Sequence, residues 1–295
     1  MKVLHSIAEF RAWRRVVSLE ASLPFVPTMG ALHDGHASLV RAAREMAGPV
    51  GAGGAVACSI FVNPTQFGPH EDFSRYPRTL EADCVLLEAA GCDAVFAPSA
   101  EEMYGVHAGI PSAPTVTVDP GPLGTVLEGA IRPGHFRGVC TVVAKLLGIV
   151  RPTHLLLGQK DFQQQVILRH MIADLNMPLE VVTCPTAREP DGLAMSSRNR
   201  YLSPEERRRA VALYEALTWA QAACARGERE AAVLDAGMEQ RLVARGLVPQ
   251  YALIADPATL TPCRETGGRV VREQGAVALL AAKLGTTRLI DNMLL

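Results

Sequence analysis

The 295-residue sequence lacks the marks of several large protein classes. Its seven cysteines are odd in number and form no C-x-x-C pair, which argues against a disulfide framework and against a zinc site. No stretch approaches the roughly 18 uninterrupted apolar residues of a membrane-spanning helix. The beginning of the chain, "MKVLHSIAEFRAWRRVV", carries charges throughout, unlike a signal peptide. We therefore expect a cytoplasmic protein with reduced cysteines.

Net charge is also nearly absent, because 29 basic side chains face 30 acidic ones. No global field favours nucleic acid or an anionic membrane, so an anion site must be built locally. No G-x-G-x-x-G motif precedes a predicted helix, which weakens an assignment as a nicotinamide-dependent oxidoreductase. What the chain does have is apolar material: 48% hydrophobic against 20% charged residues predicts a globular protein.

Short apolar runs alternate with segments of helical periodicity up to about residue 186. Alternation of this kind predicts an α/β domain with a doubly wound parallel sheet. The predicted strands cover residues 23–26, 55–62, 94–98, 154–158 and 179–185, and the predicted helices cover residues 36–47, 79–90, 138–150 and 161–175.

The character of the chain changes after this point. Two long polar helices, at about 203–226 and 228–245, precede the strand-like runs "QYALIA" and "AVALLAAKL". Ser203, Pro204 and Glu206 form a strong helix start. We predict a Rossmann-like domain over residues 1–186 and a smaller α+β domain over 187–295, joined through the long loop "TAREPDGLAMSSRNRYLS".

The segment "PTMGALHDGH" holds the first candidate site. His33, Asp34 and His36 lie between a predicted strand and a predicted helix, at the sheet edge where open α/β folds bind ligands. A helix N-terminus and two imidazoles suit a phosphate, and Gly30 and Gly35 allow close approach to the backbone. In the alternative interpretation, Asp34 caps the helix and both histidines are surface residues.

Two further segments carry anion-binding groups. In "LLLGQKDFQQQ" Lys160 precedes a helix, where a cation opposes the helix dipole unless an anion lies between them. The alternative is an ion pair of Lys160 with Asp161. In "AMSSRNR" two hydroxyls and Arg198 match phosphate oxygens, although a polar loop alone would look the same.

The segment "SIFVNPTQFGPHEDFSRYPRTLEAD" offers neutral amides at a strand end. Asn63 and Gln66 suit a small polar substrate that must be oriented without being neutralised. Residues 67–78 form a candidate lid, with an inert surface loop as the alternative.

Taken in order along the chain, these motifs resemble the pantothenate synthetase family of the HxGH nucleotidyltransferase superfamily. The resemblance rests on "PTMGALHDGH", "SIFVNPTQFG", "YPRT", "GHFRGV", "GQKDFQQ", "DGLAMSSRNRYLS" and "GTTRLIDN". It implies ATP contacts at Met29, Gly30, Ala31, Leu32, His33, Asp34, Gly35, His36, Gly158, Gln159, Lys160, Asp161, Ala187, Met195, Ser196, Ser197 and Arg198. It implies pantoate and β-alanine contacts at Gln66, Gln164 and Asn63.

The resemblance implies condensation of pantoate with β-alanine through a pantoyl adenylate, with release of pyrophosphate and AMP. It nominates His33, His36, Lys160 and Arg198 as catalytic residues, and Asp83 as the ligand of Mg²⁺. His36 is the implied proton donor, although an imidazole that only donates a hydrogen bond fits the same sequence. The residues suggest no covalent nucleophile. The family resemblance also implies a homodimer.

Two other functions remain open on sequence alone. Another adenylyl- or cytidylyltransferase would use the same phosphate groups on a different acceptor, and the pair Gln66 and Gln164 argues against it. A non-catalytic nucleotide-binding module would keep the fold without turnover.

Overall fold

The computed structural model describes residues 1–18, 20–51, 53–69, 71, 73–107, 110–111, 113–270 and 275–295. Its strands are β1 (Lys2–Leu4), β2 (Pro24–Thr28), β3 (Ala57–Ile60), β4 (Ala94–Phe96), β5 (Val106–His107), β6 (Ile110–Pro111), β7 (His154–Gly158), β8 (Glu180–Cys184), β9 (Val248–Ala255), β10 (Val277–Leu284) and β11 (Thr287–Leu294). Its helices are α1 (Ile7–Val16), α2 (Asp34–Ala47), α3 (Leu80–Ala89), α4 (Ala100–Tyr104), α5 (Glu128–Ile131), α6 (His135–Val150), α7 (Phe162–Asp174), α8 (Pro204–Ala210), α9 (Ala212–Ala225) and α10 (Ala231–Ala244).

The chain divides into two compact units. Unit 1 comprises Met1–Gly158 and Ile167–Cys184, and unit 2 comprises Gln159–Val166 and Pro185–Leu295. The last change of unit falls two residues from the predicted limit at 186, whereas the short segment Gln159–Val166 was assigned by sequence to the first domain.

Unit 1 is built on a six-stranded parallel sheet with the order β1-β4-β3-β2-β7-β8. The predicted doubly wound parallel sheet is therefore confirmed. The chain order of the strands reverses between β2 and β7, which makes this pair the switch point where such sheets bind ligands.

The switch point has a short ladder of paired residues. The register between β2 and β7 covers only Pro24↔His154 and Phe25↔Leu155, although both strands continue toward their carboxyl ends. From there β2 pairs with β3, and β7 pairs with β8. Pro27 has no N–H to donate to a ladder, which is consistent with the end of this one. The hydrogen-bonded ladder at the switch point therefore stops before the carboxyl ends of β2 and β7.

Alternating side chains of the strands enter two different cores. Phe25, Ala57 and Leu155 belong to a core with residues of α1 and α6, whereas Val26 and Cys58 belong to a core with residues of α2 and α3. The period-2 alternation of strand side chains thus covers both faces of the sheet with helices. Burial of these side chains on both faces of the sheet fixes the positions of the strand ends. Candidate site residues lie in the turns that follow these ends.

Unit 2 has its own core around the antiparallel sheet β11-β10-β9. Helices α8 to α10 contribute alanines and leucines to this core, including Ala216, Leu217 and Leu234. The predicted α+β character is confirmed, and Ser203 caps α8 in a capping box with Glu206. The single helix predicted over 203–226 divides at Val211. Its ψ of −21° is typical of the tighter 3-10 turn and not of an α-helix.

Within the described part of the chain, no helix is both long and apolar enough to cross a membrane. All seven cysteines are free thiols, and six of them are buried. The sequence-based expectation of reduced cysteines agrees with this arrangement.

Candidate active site

The turn after β2 is held by a buried carboxylate. Gly30 and Ala31 both adopt left-handed backbone conformations, with φ of 81° and 52°. Asp83, which is 3% exposed, accepts hydrogen bonds from the N–H groups of Ala31 (3.0 Å) and Leu32 (2.8 Å) and from the Thr79 hydroxyl (3.1 Å). The turn is thus pinned from α3 in a conformation that a non-glycine residue otherwise avoids.

Gly30 also makes room for this carboxylate. A Cβ at Gly30 would lie 3.0 Å from Oδ2 of Asp83 and 3.1 Å from Cγ2 of Ile60, besides the strain of its positive φ. The motif predicts that this glycine admits a ligand to the backbone. That prediction stays untested, and the structure shows a further role: the missing side chain admits the carboxylate that holds the turn.

The two histidines cap α2. His33 is the N-cap, and its Nδ1 accepts the Gly35 N–H at 3.2 Å, while Nδ1 of His36 accepts the His33 N–H at 3.3 Å. The alternative in which Asp34 caps the helix is wrong, because the ring nitrogen of His33 occupies the acceptor position of the cap and Asp34 is the first helical residue.

This capping box also decides which ring nitrogens carry protons. A neutral imidazole accepts at one nitrogen and donates at the other, so the neutral rings of His33 and His36 hold their protons on Nε2. The two ring centroids are 4.1 Å apart. The pair therefore provides N–H donors of the kind that an anionic ligand requires.

Gln66 lies in the same unit beside the turn. Its Nε2 donates to Sδ of Met29 at 3.0 Å, and its Oε1 accepts from Nδ2 of Asn63 at 3.0 Å. The predicted substrate residues Gln66 and Asn63 thus neighbour Met29, which the resemblance assigns to ATP. Both side chains are buried.

The segment predicted as a lid is anchored by aromatic and ionic contacts, with residues 70 and 72 outside the described part. The ring of Phe67 lies 5.3 Å from that of Phe73 and 5.9 Å from that of Tyr76, measured between centroids. Glu71 forms a two-pronged ion pair with Arg132. The aromatic contacts lie within the segment, and the ion pair joins it to Arg132 at the end of α5.

In unit 2 the segment "GQKD" is held by the last strand. Nδ2 of Asn292 donates to the carbonyl oxygens of Gln159 and Lys160, both at 2.9 Å, and its Oδ1 accepts from Nε2 of Gln159 at 3.2 Å. Nζ of Lys160 lies 3.7 Å from Oδ1 of Asp161. That ion pair, the alternative considered from sequence, is present, but its half-exposed carboxylate makes it weak.

The same strand holds the base of the "MSSRN" loop. Asp291 receives two hydrogen bonds from Arg188, at 2.7 and 3.0 Å, and Arg188 also donates to the Gly192 carbonyl. Burial raises the pKa of the Asp291 carboxyl, while Arg188 acts in the opposite direction. The guanidinium of Arg188 lies over the ring of Tyr214, 4.7 Å from its centroid.

The loop itself is closed by its backbone. The Met195 N–H donates to the Ala187 carbonyl at 2.9 Å, which brings together two of the predicted ATP residues. Ser196 caps the following 3-10 helix, and its Oγ accepts the Arg198 N–H at 3.3 Å. The hydroxyl proton of Ser196 is then directed elsewhere and is suited to a ligand oxygen.

The predicted residues thus form two sets, one in each unit. Unit 1 contains Met29, Gly30, Ala31, Leu32, His33, Asp34, Gly35, His36, Asn63, Gln66, Asp83 and Gly158. Unit 2 contains Gln159, Lys160, Asp161, Gln164, Ala187, Met195, Ser196, Ser197 and Arg198. Sequence reasoning missed Arg188, Asp291 and Asn292, although the motif "GTTRLIDN" was noticed without a role.

Comparison with known proteins decides the family. The profile of the family described as pantoate–β-alanine ligase matches residues 2–294. The chain belongs to this family. It is 51% identical to the pantothenate synthetase of Chloroflexus aurantiacus over 100% of this chain and 98% of that one, and 49% identical to that of Acidiphilium cryptum over 99% of each.

Solved structures of the ligase family share the fold. The crystal structure of pantothenate synthetase from Thermus thermophilus has a TM-score of 0.88 and 44% identity over 99% of both chains. The pantoate–β-alanine ligase of Francisella tularensis, complexed with beta-gamma ATP and β-alanine, has a TM-score of 0.78 and 32% identity, covering 100% of this chain and 97% of that one. The family resemblance predicted from sequence is confirmed.

Proposed function

We propose that this chain carries out the reaction of its family, the ATP-dependent condensation of pantoate with β-alanine, through a pantoyl adenylate. The pantoate carboxylate attacks the α-phosphorus of ATP and releases pyrophosphate, and the amine of β-alanine then displaces AMP. The observation that carries this proposal is the capping box of His33 and His36, which turns Nδ1 of both rings toward backbone N–H groups at the start of α2, so that Nε2 is the donor nitrogen of each neutral ring.

The phosphate groups are assigned to five side chains. His33 and His36 provide ring N–H groups, Lys160 an ammonium, Ser196 a hydroxyl and Arg198 a guanidinium. Donors of this kind stabilise charge that develops on the α-phosphate and the leaving pyrophosphate. The remaining predicted ATP contacts are proposed as backbone and shape contacts: Met29, Gly30, Ala31, Leu32, Asp34, Gly35, Gly158, Gln159, Asp161, Ala187, Met195 and Ser197.

His36 acts in this scheme as a hydrogen-bond donor that keeps its proton. Its Nδ1 already accepts a backbone N–H, so a doubly protonated ring would direct a second N–H at that donor. The neutral ring can still donate from Nε2 to a phosphate oxygen. Catalysis then consists of positioning and electrostatic stabilisation, and no residue becomes covalently attached.

Pantoate is assigned to Gln66 and Gln164, with β-alanine near Gln66. Asn63 acts beside them. Neutral amides orient the hydroxyls and the carboxylate of the acid while leaving the carboxylate nucleophilic. This pair favours pantoate over the acceptors of other nucleotidyltransferases.

Magnesium does not fit Asp83 as a simple protein ligand. Both carboxylate oxygens already accept hydrogen bonds, three in all, from Ala31, Leu32 and Thr79. Among the described residues, no group of three acidic, histidine or cysteine side chains is arranged to hold a metal ion. We propose that Mg²⁺ accompanies ATP through its phosphates and water. A homodimer and a cytoplasmic location likewise remain predictions.

The deciding experiment is to mix the protein with Mg-ATP and pantoate without β-alanine and to detect the product by mass spectrometry. Pantoyl adenylate and pyrophosphate are expected, followed by pantothenate and AMP when β-alanine is added. Absence of the adenylate, together with exchange of pyrophosphate on another acid, would assign the chain to a different nucleotidyl transfer. No turnover with any candidate acid would favour a binding module.

A further inference from the structure

We propose that Asn63 and Tyr104 are positioning residues that lock the amide of Gln66 so that it presents only N–H donors to an oxygen acceptor of the acid substrate. The inference rests on the proposed function, because it names the polarity of the pantoate contact. Its starting point is Asn63, which is 1% exposed and lies at the carboxyl end of β3.

The orientation of the Asn63 amide is set by two backbone groups. Its Nδ2 donates to the Gly138 carbonyl at 3.2 Å, and its Oδ1 accepts the Thr65 N–H at 3.3 Å. A carbonyl can only accept and an N–H can only donate, so exchanging the two ends of the amide would oppose like groups at both places. The side chain therefore has one orientation.

Asn63 is fully used by protein partners in this orientation. Its Oδ1 also accepts the Thr65 hydroxyl at 3.0 Å and the Tyr104 hydroxyl at 2.7 Å, and the second hydrogen of Nδ2 goes to Gln66. Asn63 is thus well suited to orient another residue and poorly suited to contact a substrate directly.

The orientation of the Asn63 amide in turn fixes the orientation of the Gln66 amide. Because Nδ2 of Asn63 is a donor, the atom of Gln66 that faces it at 3.0 Å must be the acceptor Oε1. The amide nitrogen of Gln66 then points to the turn after β2, where Sδ of Met29 receives one N–H at 3.0 Å. A thioether is a weak acceptor, so a substrate oxygen competes easily for this nitrogen.

The main chain of Gln66 is fixed as well. Its carbonyl accepts from Nδ1 of His135 at 2.8 Å and from Arg132 at 3.4 Å. Burial and the neighbouring Arg132 lower the pKa of His135 to about 4, so this ring is neutral at the pH of an assay. Gly138 permits the close approach, because a Cβ there would lie 2.4 Å from the Thr65 carbonyl oxygen.

A carboxylate oxygen is the acceptor that this arrangement selects. Oε1 of Gln66 faces Asn63, so the atom on the Met29 side is the donor Nε2, and a charged carboxylate oxygen accepts from an N–H more strongly than a neutral hydroxyl oxygen does. We assign Nε2 of Gln66 to the carboxylate of pantoate, which it would aim without removing negative charge. The hydroxyls of pantoate are left to other groups.

The test is Gln66→Glu, assayed as kcat/KM for pantoate relative to the wild type between about pH 5.5 and pH 9. A carboxylate keeps the acceptor toward Asn63 but presents negative charge to the substrate, so a loss of about 100-fold or more is expected at high pH. The ratio should rise as pH falls, because the introduced carboxyl group regains a donor when it is protonated. The neighbouring ionisable groups, His135, Tyr104, Lys145 and the pair Arg132 and Glu71, are common to both proteins.

The opposite result overturns the inference. If Gln66 accepts from a pantoate hydroxyl, Gln66→Glu keeps nearly full activity at high pH and loses it as pH falls. Gln221→Glu, on the exposed face of α9, makes the same chemical change and should leave the ratio near one at every pH. Wild-type turnover of pantoate with an unaffected Gln66→Glu variant would reject this inference alone and leave the proposed function intact.

Tyr104 is tested through its dependence on Gln66. Tyr104→Phe should raise KM for pantoate about threefold to tenfold, the effect of one neutral hydrogen bond, with little change in kcat. The same change should have no further effect in a Gln66→Ala background, because Tyr104 acts through that side chain. Equal effects in both backgrounds, or an equal loss in Tyr251→Phe of unit 2, would show that Tyr104 does not position Gln66.

Discussion

The two units hold their candidate ligand groups in different ways. In unit 1 the histidine pair is fixed by its own helix cap, and the turn before it by a buried carboxylate of α3. In unit 2 the segment Gln159–Lys160 and the base of the Met195–Arg198 loop are held from β11, more than a hundred residues away along the chain. A site can thus be held by contacts between residues close together in the chain, as in a helix cap, or by residues far away in the chain. Only contacts of the first kind can be predicted from a short sequence motif.

The largest expected effects test whether the candidate site residues of unit 1 and those of unit 2 contribute equally to catalysis. His36→Ala and Lys160→Ala should each lower kcat by roughly 10² to 10³, the effect of removing one donor to a transition-state anion. Initial rates of pantothenate formation would measure this loss. Lys283→Ala, an exposed lysine of β10, should be unaffected, and full activity in either site variant would remove that residue from the mechanism.

The anchor in unit 1 should matter for stability. Asp83→Ala leaves the N–H groups of Ala31 and Leu32 without their acceptor in a buried turn. We expect a loss of about 3 kcal/mol in the free energy of unfolding. Urea denaturation would measure it, with Glu81→Ala on the same helix as the control. A loss equal to that of the control would mean that the turn holds itself.

Removing the Asn292 contacts in unit 2 should lower stability less than removing Asp83 does, and should change the kinetics more clearly. Asn292→Ala removes three hydrogen bonds to Gln159 and Lys160, and we expect about 2 kcal/mol of destabilisation. KM for ATP should rise more than kcat falls, since Lys160 is kept but less well placed. Gln250→Ala, exposed on β9, serves as the control. An unchanged KM for ATP would show that the Asn292 contacts stabilise the fold without affecting ATP binding.

The smallest effect concerns pH and lies outside both sets. Burial raises the pKa of Asp235 from 3.8 to about 6, and its Oδ2 has no hydrogen-bond partner among the described residues. The folded state favours the protonated form of Asp235, so protonation stabilises the fold. This contribution is complete below pH 3.8 and is lost as the pH rises through about 6. For this half-buried group we expect wild type to lose about 1 kcal/mol relative to Asp235→Asn between about pH 4 and pH 7. Parallel stability curves for the two proteins would contradict this.

Sequence reasoning succeeded where a residue's structural role depends on its neighbours in the chain. The strand His154–Gly158 has the predicted bounds, and the start of α8 at Ser203 was read from its cap. The capping box of Ser6 and Glu9, which begins α1, was equally readable but overlooked. So was the turn at Gly285, which joins β10 and β11 into a hairpin.

The unpredicted features depend on residues far apart in the chain. Nothing near Asp83 indicates that its carboxylate will meet the N–H groups of Ala31 and Leu32, and the family resemblance implied a ligand of Mg²⁺ at this position. Likewise, "GTTRLIDN" contains no sign that Asn292 will face Gln159. Such contacts follow from packing of whole elements, which single-chain periodicity does not encode.

The path of the backbone has a practical consequence for protein engineering. It passes between the units at 158/159, 166/167 and 184/185, so no single contiguous piece of the gene encodes either one. A clone covering only residues 185–295 would express Asn292 without the peptide groups it binds. Dissecting the enzyme into independently produced halves therefore requires rewiring the connectivity, for instance by grafting residues 159–166 through a new linker.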